Sequence, residues 1–405
     1  MDVSGVIAQS TTWTQGNVYI LKDVVSLPPS VTLTIEPGTT ILGERGSALV
    51  ARSGARIVAR GTREDPIVFT SAKAPGARLA GDWGGVTMIG KARVNRENFQ
   101  LNIVTGESDA LVGGNDDSWD CGALEYVRVE FAGGPVKGEE ALNGLTLAGC
   151  GDQTKVEYVQ VHFGRDDGVE IFGGTVDLRH ILVSRSQDDG FDIDTAWRGT
   201  AQFLVVIQDN VGNNAIEVDN LGEDPAALPR TDFSIYNYTL IGANEFVKDQ
   251  RAVTFKAGGV GLLSHGIIMG HGVEGVDVVG DESGRLAAEG EISVRNTLFF
   301  DIGDGGTSYF PSDEASGSEG DDDLGFDEDA AYRMSEASNV FGQDPKLEKP
   351  YDLFGPELRP TDLSVVTGTQ IPAPPAPFLS TANYLGAFTP GVDPWTEDWT
   401  SFPGS

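Results

Sequence analysis

The chain has 405 residues, with 61 acidic against 28 basic side chains and a formal net charge of −33. That charge argues against nucleic acid or an anionic membrane surface as partner, because their phosphates would be repelled, and it favours cations. With 53 glycines, and no apolar run of the roughly 18 residues that a membrane span needs, the composition suits an all-β chain with many turns.

The chain opens on Met1-Asp2-Val3-Ser4-Gly5, without a basic start or an apolar signal region. We expect a mature form whose signal peptide has been removed and a Met added. Residues 10–75 read as short strands. Thr32-Leu33-Thr34-Ile35-Glu36 alternates and then turns at Pro37-Gly38. Ala48 to Ala59 alternates again, followed by Gly61 to Thr70 and Gly81-Asp82-Trp83-Gly84-Gly85-Val86. Helix signals are nearly absent.

Cys121 and Cys150 each sit beside a glycine at the edge of a predicted strand, 29 residues apart. That separation is about one coil plus a turn. It fits a disulfide between neighbouring coils, or else two buried thiols. Neither cysteine lies in a Cys-x-x-Cys pair, which argues against a metal.

Residues 120–305 carry the clearest repeats. Leu124 to Phe131 has a near copy in Val156 to Phe163, and Leu178 to Val183 and Phe203 to Ile207 continue the series. Three acid-rich stretches line up on each other: Asp166-Asp167-Gly168-Val169-Glu170-Ile171, Asp188-Asp189-Gly190-Phe191-Asp192-Ile193 and Asn213-Asn214-Ala215-Ile216-Glu217-Val218. Their steps are 22 and 25 residues, yet each follows its preceding strand by the same 11 residues, counted from Val156, Leu178 and Phe203. Equal offsets within unequal repeats place the insertions in one turn, as a solenoid allows. The expected fold is a right-handed parallel β-helix. Val169, Phe191 and Ile216 then point inward, and Glu170, Asp192 and Glu217 point outward on the same strands.

Residues 312–333 break the pattern with an acidic run from Ser312 to Asp323 and Phe326-Asp327-Glu328-Asp329. Such a run is ordinarily a solvated loop, with calcium binding second, and it lacks the spacing of an EF-hand. The tail over 334–405 is rich in proline and aromatic residues, among them Phe378, Tyr384, Phe388, Trp395, Trp399 and Phe402. It is expected to pack along the β-helix of residues 1–311 or to cap its end.

Several of these pieces resemble a family of exported bacterial right-handed β-helix proteins, predicted to be surface proteins or lipoproteins. They are Thr34-Ile35-Glu36-Pro37-Gly38-Thr39, Asp82 to Val86, Tyr126 to Gly133, Leu142-Asn143-Gly144-Leu145-Thr146, Asp166 to Gly174, and the ending around Tyr384, Gly386-Ala387-Phe388, Trp395 and Trp399. The resemblance implies fold and export to the cell surface or beyond, and supplies no catalytic residue. A weaker one is to polygalacturonase-like glycoside hydrolases, through Asp188 to Ile193 and Asp166-Asp167-Gly168. Here the two motifs stand in reverse order, and Gly270-His271-Gly272 lies some 80 residues beyond Asp189.

Neighbouring coils lie ~4.8 Å apart, so Glu170, Asp192 and Glu217 stack carboxylates at a spacing where like charges repel by roughly 1 kcal/mol in water. Three responses are open. The first is a cation: Asp167, Glu170, Asp189, Asp192 and Asp194 offer only oxygen, which suits calcium. The second is catalysis, with Asp167, Glu170, Asp189 and Asp192 as candidate acids and bases. Trp197 beside Arg198 would then give a sugar platform with a cationic partner, next to Glu217 and Asp219. A lyase would need a base from Lys256, His265, His271 or Arg198. The third response is structural, the polar ladder bonding turns and itself. The reading favoured is an acidic, calcium-stabilised surface or matrix protein that binds polysaccharide or assembles with its own copies. The alternative is an acidic-polysaccharide hydrolase or lyase.

Overall fold

In the computed structural model the described residues are 1–405 except 102, 104–109, 137–141, 313–322, 369–372, 375–377 and 405. Gly122–Glu130, Lys155–His162, Asp177–Ser184, Thr200–Ile207, Asp232–Glu245, Val260–His271 and Ile292–Phe300 stack in parallel, coil on coil. A second parallel run joins Val86–Ile89, Leu145–Ala148, Val169–Gly174, Phe191–Trp197, Asn214–Val218, Arg251–Phe255 and Asp277–Val278. The result is a right-handed parallel β-helix. Its sheet takes in a strand beyond residue 311, because Val340–Phe341 pairs with Leu298 and Phe299.

Each long strand bends at a residue held in the left-handed region: Tyr126, Tyr158, His180, Phe203, Asn237, His265 and Asn296, with φ between 48° and 63°. Asp232–Glu245 does so again at Asn244, φ 59°. Side chains with a Cβ resist that conformation, so a column of them needs compensation. Part of it is stacking: Tyr126, Tyr158, His180 and Phe203 lie ring on ring, with centroids 4.4, 4.3 and 4.7 Å apart.

The interior follows the period-2 pattern. Leu145, Val169, Phe191, Ile216 and Val253 are successive register partners, all fully buried. Burial of such columns, at roughly 25 cal/mol per Å² of apolar surface, is the main stabilising term. Cys121 and Cys150 form a disulfide that ties the entry of Gly122–Glu130 to the exit of Leu145–Ala148.

The tail packs on the β-helix, as expected. It covers an outward column of Leu182, Val205, Ile267 and Leu298 with Tyr384, Leu385 and Phe388. Its backbone is held by side chains of more than one coil. Gln160 Nε2 donates to Ser401 O (2.7 Å), and its Oε1 accepts from Ser401 N (2.9 Å). Gln202 makes the same pair with Ser380 (3.1 and 2.9 Å). The acidic run expected to form a loop lies mostly at 313–322, outside the described residues.

Candidate functional site

The aligned acid motifs build two adjacent columns. The first runs through the turn. Asp167 Oδ1 accepts from Asp189 N (3.0 Å), and Asp189 Oδ1 accepts from Asn214 N (2.6 Å). The residue after each acid is glycine for lack of room: a Cβ on Gly168 would lie 2.2 Å from Val183, and one on Gly190 2.4 Å from Val206. This column is therefore partly a consequence of the fold, each carboxylate capping the backbone of the next coil.

The second column faces outward. Thr146, Glu170, Asp192, Glu217 and Thr254 are register partners on successive strands. Glu170 accepts from Asn143 Nδ2. Glu217 accepts from Asn214 Nδ2 (2.9 Å) and pairs with Lys256 Nζ (2.6 Å), which also reaches Asp219 (3.4 Å). Between these satisfied ends stands Asp192. It is 8% exposed; its Oδ1 has no nitrogen or hydroxyl donor among the described residues, and its carboxyl shares a hydrogen bond with that of Glu170.

Carboxylate oxygens of Asp167, Glu170 and Asp192 lie within 4.8 Å of one another, as do those of Asp192, Glu217 and Asp219. Only the second group has a lysine or arginine at ion-pair distance among the described residues. Burial, reinforced by neighbouring negative charges, pushes the Asp167, Glu170, Asp189 and Asp192 carboxyls well above the ordinary range. Burial also raises Asp194 to about 7 and Asp219 to about 6.

A cleft of about 680 Å³ opens beside the first group, lined among others by Arg96, Phe99, Asn143, Thr146, Glu170 and Phe172. Phe99 meets Phe172 edge to face, centroids 5.1 Å apart. The segment carrying Arg96 and Phe99 leaves the β-helix after Val86–Ile89 and is pinned over the acid face. Asn95 Nδ2 donates to Asn220 Oδ1 (2.7 Å), Arg96 pairs with Glu223 (3.2 Å), and Arg93 and Arg198 both grip Asp117. Partial burial opposes it, but those guanidiniums hold the Asp117 carboxyl well below the usual range.

Of the expected metal ligands, Asp167, Glu170 and Asp192 converge. Asp189 and Asp194 do not join them; their oxygens accept from Asn214 N and Thr195 N. The proposed platform is corrected outright. Trp197 is fully buried, stacked on Phe233 at 5.7 Å, and its Nε1 donates to Val176 O (3.0 Å). It belongs to the core because Ala196, at φ 78°, turns the chain and sends the next side chain inward. Arg198 is spent on Asp117, so it is no free partner for a sugar acid. Among the lyase bases, Lys256 is tied to two carboxylates, and His265 and His271 are buried.

Asn143, Thr146, Arg96, Phe99 and Phe172 were missed. Asn143 and Thr146 were readable: Asn143-Gly144-Leu145-Thr146 sits 24 residues before Asp167-Gly168-Val169-Glu170 and repeats its pattern. Arg96 and Phe99 carry no such signal, since they stand in an excursion outside the repeat.

Residues 5–321 match the family model described as "Pectate-lyase like beta helix domain". No curated protein and no solved structure matches the chain.

Proposed function

We propose a function on one premise: this chain belongs to the pectate-lyase-like β-helix domain family. It is an exported protein of the cell surface or extracellular matrix. It holds calcium on Asp167, Glu170 and Asp192, and its partners are polysaccharide or further copies of itself.

The observation that carries the calcium reading is the convergence of three carboxyls in which Asp192 Oδ1, among the described residues, has no nitrogen or hydroxyl donor and meets only the neighbouring Glu170 carboxyl. A buried acceptor in that position is costly unless something satisfies it. The donors are all oxygen, which suits a hard divalent ion. A bound cation would neutralise the repulsion among the three carboxylates and offer a positive centre at the cleft wall. The cleft, with the half-buried Phe172 in its lining, is the natural seat for a sugar ring. The Cys121–Cys150 disulfide fits an oxidising compartment.

Calorimetric titration of chelator-treated protein with calcium tests this reading. Binding is expected with proton release, because the ligands are carboxyls held above their ordinary range. Asp192→Asn should abolish it. A wild type that gives no heat, and no rise in melting temperature with calcium, would sink the calcium reading.

The second reading, a hydrolase or lyase of acidic polysaccharide, rests on the same raised carboxyls, one of which could donate a proton while another stays ionised. A screen for reducing ends and unsaturated uronates, with and without chelator, decides it. Product that disappears in Asp192→Asn would establish an enzyme.

A further inference from the structure

A second cleft, of about 850 Å³, opens between the turn that follows Asp232–Glu245 and the loop that follows Ile292–Phe300. It is larger than the cleft beside Glu170 and shares no lining residue with it. Phe246 lines it at 75% exposure, the most exposed aromatic ring among the described residues. The turn that carries this ring is anchored. Gln250, fully buried, accepts from Ala243 N (3.0 Å) and donates to Asp209 O (2.8 Å) and Gly212 O (3.0 Å). The facing loop is tied to the strand between them, where Gly303 N donates to His271 O (2.9 Å). A fixed frame therefore holds an apolar ring in water inside a concavity, which is how a ligand site is built.

The charges of the cleft narrow the ligand. Glu245, Asp249, Asp301 and Asp304 line it, against Lys248 alone among lysines and arginines, and Lys248 is 3.7 Å from Asp249. His271 lines it too. Burial keeps that imidazole neutral, pushed down to about 3, and at most one of its nitrogens is engaged, by the Leu240 backbone. A uronate chain would be repelled. A metal ion or an amine needs acids that converge on one point, and among the described residues none of these four belongs to a converging group of three. A neutral ring with hydroxyls spread around its edge meets both conditions. Its C–H face can cover Phe246, while its hydroxyls donate to the separated carboxylates and to the Asn244 amide oxygen.

We propose that this cleft is a second saccharide site, selective for neutral sugars, with Phe246 as the platform that the buried Trp197 is not. The inference rests on the carbohydrate part of the reading above. Neither calcium nor the acids of the ladder enter it.

The test is calorimetric titration of the full chain in chelator with oligomers of glucose, xylose and mannose and with oligogalacturonate. A neutral oligomer should bind about tenfold or more tightly than oligogalacturonate. Phe246→Ala should weaken that binding about tenfold, the loss expected when most of an aromatic contact is removed. Because the ring is exposed, this variant should melt with the wild type; Phe246→Leu, which lacks the flat face, serves if it does not. Phe354→Ala removes a 66% exposed ring that does not line the cleft, and should leave affinity unchanged. Neutral-oligomer binding that survives Phe246→Ala, or that Phe354→Ala weakens equally, overturns the inference and leaves the carbohydrate reading standing. A preference for oligogalacturonate does the same. Binding of no saccharide at all by the wild type removes both.

Discussion

Asp194 and Asp219 are raised by burial to about 7 and about 6, against an unfolded value near ~3.9. The folded chain then binds more protons than the unfolded chain at these sites, so they lower stability as pH rises through that window. Asp167, Glu170, Asp189 and Asp192 act in the same direction. His162, lowered to about 4 by burial, acts oppositely, costing stability as pH falls below ~6.5. Above that point the carboxyls stand alone. In chelator, the melting temperature should therefore fall between pH 6.5 and 8 on scanning fluorimetry, as Asp194 and then Glu328, raised by burial to about 9, lose their protons, and saturating calcium should remove the share due to Asp167, Glu170 and Asp192. A melting temperature that rises over this range would contradict the assignment. Trp197 makes a second case at this scale. Trp197→Ala should cost about 3–5 kcal/mol in urea unfolding, as large core truncations do. Trp197→Phe, which keeps the stack on Phe233, should leave saccharide affinity unchanged, where a surface platform would lose it.

Among the elements, the tail is the one whose energetics are open to test. Trp399 is fully buried, edge-on to Tyr126 at 5.7 Å and Tyr158 at 6.2 Å, and its carbonyl accepts from Arg128 Nη1 (3.1 Å). Trp399→Ala should cost about 3–5 kcal/mol. It should also raise binding of a hydrophobic dye, because Leu182, Val205, Ile267 and Leu298 lie under the same tail. Unchanged dye binding with unchanged stability would mean that the tail is not a permanent cover. That the tail would pack was legible in its aromatics. Where it packs was not, because the column it covers alternates out of the core by the same period-2 rule that elsewhere exposes Glu170 and Asp192.

Over the whole molecule, a net charge of −33 works against compactness. Raising sodium chloride from low concentration to about 0.5 M should screen this and raise the melting temperature of chelated protein. The gain should shrink once calcium is bound. A melting temperature indifferent to salt would mean that the described ion pairs, such as Arg251 with Glu274 and Asp277, already balance the charge locally.

Sequence by itself determined the repeat, the inward stack of Val169, Phe191 and Ile216, and the outward stack of Glu170, Asp192 and Glu217. Each depends only on strand period and coil register, and both are written in residue spacing. Tertiary structure alone decided which acids are matched. Lys256 reaches Glu217 and Asp219 because a strand one coil further on carries it there. Arg198 is drawn to Asp117 across 81 residues, and the segment around Arg96 folds back over the acid face. These are contacts between distant parts of the chain with no repeat to announce them. They separate one carboxylate group with a cation of its own from one beside an open cleft.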